Sequence, residues 1–195
     1  MAGPVLYFVR HGETDWNAQG RLQGGRDTQL NALGRVQAEA AARTLRGLVR
    51  GDPGKLDFVA SPMRRTRDTM EILRGTLGLD RAAYRLDPRL VEISFGDWES
   101  FTWPEIRARD PEGAAAREAD KWGYVPPGGE SYAMLAERLA PVAAEVARDT
   151  VMVAHGGVAR ALLTLLADAP RARAPHLDIW QGRVLVVQDG HWRWV

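Results

Sequence analysis

The sequence predicts an α/β fold with three layers, in which a largely parallel central sheet carries helices on both faces. Two observations predict it. Short apolar runs of the buried-strand kind recur along the chain, LYFV from Leu6, LDFVA from Leu56 and TVMVA from Thr150, and stretches with helical spacing separate them. Strands that alternate with helices in this way form parallel sheets.

The elements follow in order. Pro4 to Val9 reads as the first strand, and a glycine-rich loop from Gly12 to Thr28 leads into a helix over Asn31–Leu48. Within that helix Leu33, Val36, Ala40 and Leu45 recur near helical spacing. Leu56–Ala60 is the second strand. Ser61-Pro62 after it suits a helix start, Ser as cap and Pro in the first turn, with the helix running to about Leu77. Leu86–Ile93 reads as extended, Thr102–Ala119 as a polar helix and Trp122–Gly129 as an irregular loop. Ser131 is placed to cap a helix running to Ala147. Thr150–Ala154 is the third buried strand, and Val158–Ala167 returns to helix. Val184–Val187 and Trp192–Val195 form a hairpin around Asp189-Gly190.

Composition narrows the functional classes. At 195 residues the chain is expected to form one domain that buries roughly 70% of its unfolded surface. Hydrophobic content of 45% and charged content of 26% are ordinary for a soluble globular protein, and no apolar run approaches a spanning helix. No basic leader precedes the first strand, so a cytoplasmic location is expected. The absence of cysteine excludes disulfides, thiolate metal sites and cysteine nucleophiles. Net charge is +1 with both signs interspersed, which speaks against nucleic acid as a partner. Oligomeric state stays open, a homodimer included.

Chemistry concentrates at two strand ends. Arg10-His11-Gly12 follows the first strand and His155-Gly156-Gly157 follows the third, so both imidazoles are expected at the same rim of the sheet. His176 and His191 lack that context and read as surface residues. No pair of histidines has zinc-ligand spacing, and a cation beside His11 suits an anionic substrate better than a metal. Phosphate fits best, because guanidinium groups bind its oxygens as a fork. Nearby arginines also disfavour imidazolium and keep a nitrogen lone pair available.

RHGETDWNAQGRLQG, from Arg10 to Gly24, resembles the signature of the histidine phosphatase superfamily, which includes cofactor-dependent phosphoglycerate mutase and small phosphatases. Further blocks are similar in the family's order: SPMRRTRDT from Ser61, LVEISFGDWE from Leu90, PGGES from Pro127 and VAHGG from Val153. The resemblance implies a phosphoglycerate mutase-like fold over 1–195, with 101–129 as a cap over the site. It implies that His11 is the nucleophile, Glu92 the proton donor, and Arg10, Arg65, Asn17 and His155 the holders of phosphate oxygens. Gly156, at the following helix start, is assigned to phosphate as well. Arg21, Gln23 and Gly24 would border the cradle. No cofactor and no metal are implied.

Plainer alternatives stand beside these roles. Arg65 could be one of several solvated arginines on a charged helix, since Arg64 and Asp68 are spaced for an exposed ion pair. Glu92 alone would be an ordinary surface acid, and Trp98, Trp103 and Trp122 could line a pocket or fill a core. Ser100 stands where the family commonly has Gly, and Thr66 and Met70 where it has small residues. The expected activity is phosphomonoester hydrolysis of a small metabolite, α-ribazole phosphate-like, a sugar phosphate or a broad set. A cofactor-dependent mutase and a non-catalytic phospholigand-binding protein are the alternatives.

Overall fold

The apolar runs form neighbouring strands of one six-stranded sheet in a computed structural model that describes residues 2–195. β1 (Leu6–Arg10), β2 (Asp57–Ala60), β3 (Arg85–Leu86) and β4 (Thr150–Ala154) are parallel, in the order β3-β2-β4-β1. β5 (Leu185–Gln188) and β6 (His191–Trp194) extend the sheet antiparallel beyond β1. Asp189 and Gly190 join them with φ of 50° and 75°, the double left-handed turn that suits a twisted two-residue hairpin.

Alternation along the strands builds two cores. Leu6 and Phe8 of β1 join Met152 and Ala154 of β4 in one cluster, covered by α6 (Tyr132–Ala144) and α7 (Gly156–Leu166). Tyr7 and Val9 join Val151 and Val153 in the other, covered by α2 (Ala32–Leu48) and α3 (Arg64–Thr76). Each fully buried Leu, Val or Phe side chain here contributes about 1.5–3 kcal/mol relative to its exposed state. The sheet is therefore the middle of three layers. Among the described residues no helix is long and apolar enough to cross a membrane.

Several elements differ from the sequence expectation, each for a local reason. α2 turns Gly34, Ala38, Ala41, Ala42 and Leu45 inward and leaves Leu33 and Val36 at 50% and 56% exposure. The cause is Gly34: a Cβ there would lie 2.1 Å from the Glu13 carbonyl oxygen, so the helix presents its small-residue face to the loop after β1. α3 starts at Arg64, with Met63 rather than Ser61 at its cap position. Leu86–Ile93 is extended only at its start and then turns as a 3₁₀ helix over Pro88–Leu90, because Pro88 supplies no N–H and Asp87 caps the turn through Arg89 N at 2.9 Å.

Thr102–Ala119 is two helices, α4 (Trp103–Arg109) and α5 (Pro111–Ala119), broken where Asp110 precedes a proline. Inside the glycine-rich loop lies a further one-turn helix, α1 (Asp15–Ala18), fixed by a capping box between Thr14 and Asn17. α6 ends at Ala144, three residues before the expected end, and α7 begins at Gly156 rather than Val158.

Strand register positions the chemistry. Arg10 pairs with Ala154 and Ala60 with Val153, so His11, His155 and Ser61 leave three adjacent strands at one rim. The ladder continues past the strands: His11 N donates to Ala154 O at 2.9 Å and Ser61 N to Val153 O at 3.1 Å.

Candidate active site

His11 and His155 meet edge to face with ring centroids 5.2 Å apart, and both are buried. His11 Nδ1 lies 2.8 Å from Gly12 O and donates to it, which leaves Nε2 with its lone pair. Burial, then the charges of Arg65 and Arg10, hold the His11 imidazole well below its usual pKa. His155 is lowered in the same way, by burial and then by Arg65, with His11 and Arg10 adding to it. Both rings are neutral at pH 7.

The two arginines are fixed by backbone carbonyls. Arg10 donates from Nη1 to Ile179 O at 2.9 Å. Arg65 is fully buried and donates to Arg26 O at 2.6 Å and Gly24 O at 3.0 Å, so it is not one of the solvated arginines of its helix. That role falls to Arg64, 3.9 Å from Asp68. The glycine-rich loop thus acts on Arg65 through its carbonyl groups.

Glu92 comes to the same place from the loop after the 3₁₀ turn. Its two oxygens accept from Ile93 N at 2.9 Å and Gly157 N at 3.1 Å. A helix start commonly offers its first amides to an anion, but here the Gly157 amide is committed to Glu92. The approach is close: a Cβ on Gly157 would lie 2.4 Å from Glu92 Oε1, so a larger residue there displaces the carboxylate. A Cβ on Gly156 would have Arg160 Nη1 at 3.5 Å and Arg10 Nε at 3.6 Å, which places this backbone between the two guanidinium groups.

The remaining expected residues divide. Asn17 Oδ1 accepts from Thr14 N and from Gln181 Nε2, whose amide also reaches His11 O at 3.1 Å, so Asn17 is tied to the His11 segment. Arg21 lies outside the group: its Nη1 donates to Ser100 O at 2.8 Å and Glu105 Oε2 at 3.1 Å and joins the loop to α4. Gln23 is buried and accepts from the Thr28 hydroxyl. Trp103 lines a cavity of about 1110 Å³ beside the site, whereas Trp98 is buried with its indole N–H on Asp110 at 3.1 Å, and Trp122 stacks on Tyr132. His176 and His191 are exposed. Thr66 and Met70 are buried in α3, Thr66 bonding Ser61 O at 2.7 Å, and neither reaches the cavity.

Ser61 and Arg160 are the site residues that sequence reasoning missed. Ser61 Oγ stands 2.9 Å from His155 Nε2, and the available signal was its position after a buried strand, matching that of both histidines. Arg160 lies one helical turn beyond Gly156. Three buried side-chain nitrogens of the group, Arg10 Nε, Arg65 Nε and His155 Nδ1, have no hydrogen-bond partner among the described residues. Unpaired donors around a neutral imidazole suit an anion with several oxygens.

The family model for the histidine phosphatase superfamily (branch 1) matches residues 6–195. The chain belongs to that superfamily. A glucosyl-3-phosphoglycerate phosphatase of Mycobacterium tuberculosis is 38% identical over 206 residues, covering 98% of this chain and 88% of the relative. Among solved structures, a mycobacterial glucosyl-3-phosphoglycerate phosphatase complexed with VO3 superposes with a TM-score of 0.81 at 35% identity, covering 98% and 97% of the two chains. A putative α-ribazole-5′-P phosphatase from Escherichia coli gives 0.83 at 25% identity, covering 99% and 95%. This member of the histidine phosphatase superfamily is thus a phosphatase-type hydrolase, with the α/β fold expected of it.

Proposed function

We propose that the protein hydrolyses a phosphomonoester of a small metabolite through a phosphohistidine on His11. The observation that carries this reading is the set of unpartnered nitrogens on Arg10, Arg65 and His155 around a neutral His11 with a free Nε2. In the first step the Nε2 lone pair attacks phosphorus as the bond to the leaving oxygen breaks, and protonated Glu92 delivers its proton to that oxygen. In the second, the Glu92 carboxylate takes a proton from water, whose oxygen displaces His11 and releases inorganic phosphate. Fixed donors from Arg10, Arg65 and His155 meet the charge on the non-bridging oxygens and supply the largest share of the acceleration.

Segment 101–129 covers the cavity in this reading, and the leaving alcohol occupies the space beside Trp103. Candidate substrates are glucosyl-3-phosphoglycerate-like, sugar-phosphate or α-ribazole-phosphate-like monoesters, by likeness to the relatives. The test is His11→Ala assayed on p-nitrophenyl phosphate, with acid-quenched wild type probed for an acid-labile phosphoryl group on His11. Loss of turnover with an unchanged circular dichroism spectrum is expected; equal turnover by the variant overturns the mechanism. Incubation with 3-phosphoglycerate and a trace of the bisphosphate separates phosphate release from isomerisation, and a panel of phosphorylated metabolites then ranks the substrates.

A further inference from the structure

We infer that Arg138 is a positioning residue for Glu92: its guanidinium, anchored on Glu130, holds the stretch of backbone that presents the proton donor to the leaving oxygen. This rests on the phosphatase reading above. Glu92 belongs to no strand or helix and lies between the 3₁₀ turns Pro88–Leu90 and Gly96–Trp98. One of its two hydrogen bonds goes to the amide of the next residue, Ile93. Among the described residues only the Gly157 amide ties the carboxylate to another element. The backbone that carries Glu92 is therefore fixed from outside.

Arg138, near the middle of α6, supplies the outside contacts. Its Nη1 donates to Arg89 O and, at 3.0 Å, to Val91 O, the carbonyl immediately before Glu92. No backbone amide reaches either carbonyl among the described residues. Nε and Nη2 meet Glu130 as a fork, at 3.0 Å to Oε1 and 2.7 Å to Oε2. Glu130 in turn donates its own amide to Ser94 O at 2.9 Å, so the two residues grip the chain before and after Glu92. Leu90 and Ile93 seat the same loop in the core, and the grip on its carbonyls sets how it is turned there.

The PGGES block thus acquires a task through Glu130. The side chains of Arg138 and Glu130 keep 27% and 16% exposure, and an ion pair so placed adds little stability by charge alone. All three guanidinium nitrogens are instead engaged in a fixed plane. A lysine, with one ammonium, cannot span Glu130 and both carbonyls. Arg138 also acts on His155, whose pKa is lowered first by burial and Arg65 and last by the Arg138 charge. Arg138→Lys keeps that charge and isolates the geometry.

A displaced proton donor matters only where the leaving oxygen needs a proton. Benzyl phosphate releases an alkoxide that does, and p-nitrophenyl phosphate, of similar size, releases a phenolate that does not. The measurement is kcat/KM, which covers the steps up to alcohol release, for wild type, Arg138→Lys, Arg138→Met and Glu130→Gln. Both Arg138 variants are expected to lose about tenfold or more on benzyl phosphate and to stay within about threefold of wild type on p-nitrophenyl phosphate. Glu130→Gln, the mildest change to the fold, is expected to shift the ratio of the two substrates in the same direction by less. Equal losses on the two substrates, a wild-type ratio in the folded variants, or full recovery in Arg138→Lys overturns the inference. Glu92→Gln reports on the phosphatase reading alone, and equal losses there end the proton-donor assignment. Should that happen, carboxyl ¹³C NMR of Glu92 decides the inference: its signal is expected to shift and broaden in Arg138→Lys, and an unmoved signal overturns it.

Discussion

Ser61 Oγ lies 2.9 Å from His155 Nε2, with both residues fully buried. Among the described residues the Ser61 hydroxyl has no acceptor other than His155 Nε2, so its proton goes there and His155 carries hydrogen on Nδ1. That is the reverse use of the ring to His11, where Nδ1–H is satisfied by Gly12 O and Nε2 is bare. In the proposed mechanism one imidazole attacks and the other donates. Ser61→Ala removes the constraint that selects the His155 tautomer. The expected result is a fall in kcat of about 10- to 100-fold, below the ~10²–10³ that follows outright loss of a charge-stabilising donor. Nitrogen NMR of His155 should show Nδ1 moving from protonated to mixed tautomers; an unchanged tautomer with full activity would refute the assignment.

Gly157→Ala should act on Glu92 rather than on the fold. The added Cβ falls 2.4 Å from Glu92 Oε1 and 2.8 Å from Ile93 Cγ2, so the carboxylate must move out of its two-amide seat. Alanine is the better helix former by about 1 kcal/mol, which offsets part of the packing cost. A drop of at least tenfold in kcat, with a melting temperature within a few degrees of wild type, is expected for a dissociating-alcohol substrate such as a sugar phosphate. Unaltered turnover of that substrate would show that the position of Glu92 does not matter.

Ser100 has φ of +76°, in the region that favours glycine. Its backbone is held there from both sides, N–H on Leu22 O at 2.8 Å and carbonyl under Arg21 Nη1 at 2.8 Å. A side chain in that conformation costs about 1–2 kcal/mol, and glycine's extra freedom in the unfolded chain returns about 0.4–1 kcal/mol of that. Ser100→Gly is therefore expected to stabilise by up to about 1.5 kcal/mol, or at most roughly 3–6 °C in Tm. Calorimetry would decide it, and a lower melting temperature would mean that Ser100 is unstrained.

That strain was half legible beforehand: a serine where the family resemblance leads one to expect glycine marks the position but not the φ that makes it matter. The strands and the rim were legible because buried parallel strands read as unbroken apolar runs, and each run ended in a polar residue with chemistry. Ser61 was misread because Ser-Pro also describes a helix cap, and only the register of β2 on β4 shows that its hydroxyl faces His155. The face of α2 was misread for a similar reason. Periodicity favoured Leu33 and Val36, while close approach of the Glu13 backbone demanded Gly34. Nothing local in the sequence reports on such contacts between distant segments.

The buried histidine pair should make the fold acid-labile before its carboxylates titrate. His11 and His155 have pKa values lowered well below the ordinary 6.5, by burial first and then by arginine charge. In the unfolded chain both regain ordinary values, so below about pH 6.5 the unfolded state binds protons that the folded state refuses. Their contribution is therefore fully present above the unfolded pKa and is lost as pH falls beneath it. Each histidine adds a slope of up to about 1.4 kcal/mol per pH unit, and the two together up to about 2.7. Asp57 and Asp87, held low by Arg85 and Arg89, add their own loss only near and below pH 4. Urea unfolding at pH 7, 6 and 5 should thus show a decline confined to the histidine window, and His155→Gln should flatten it by about half. A stability that stays level from pH 7 to pH 5 would contradict the burial of two neutral rings at the sheet rim.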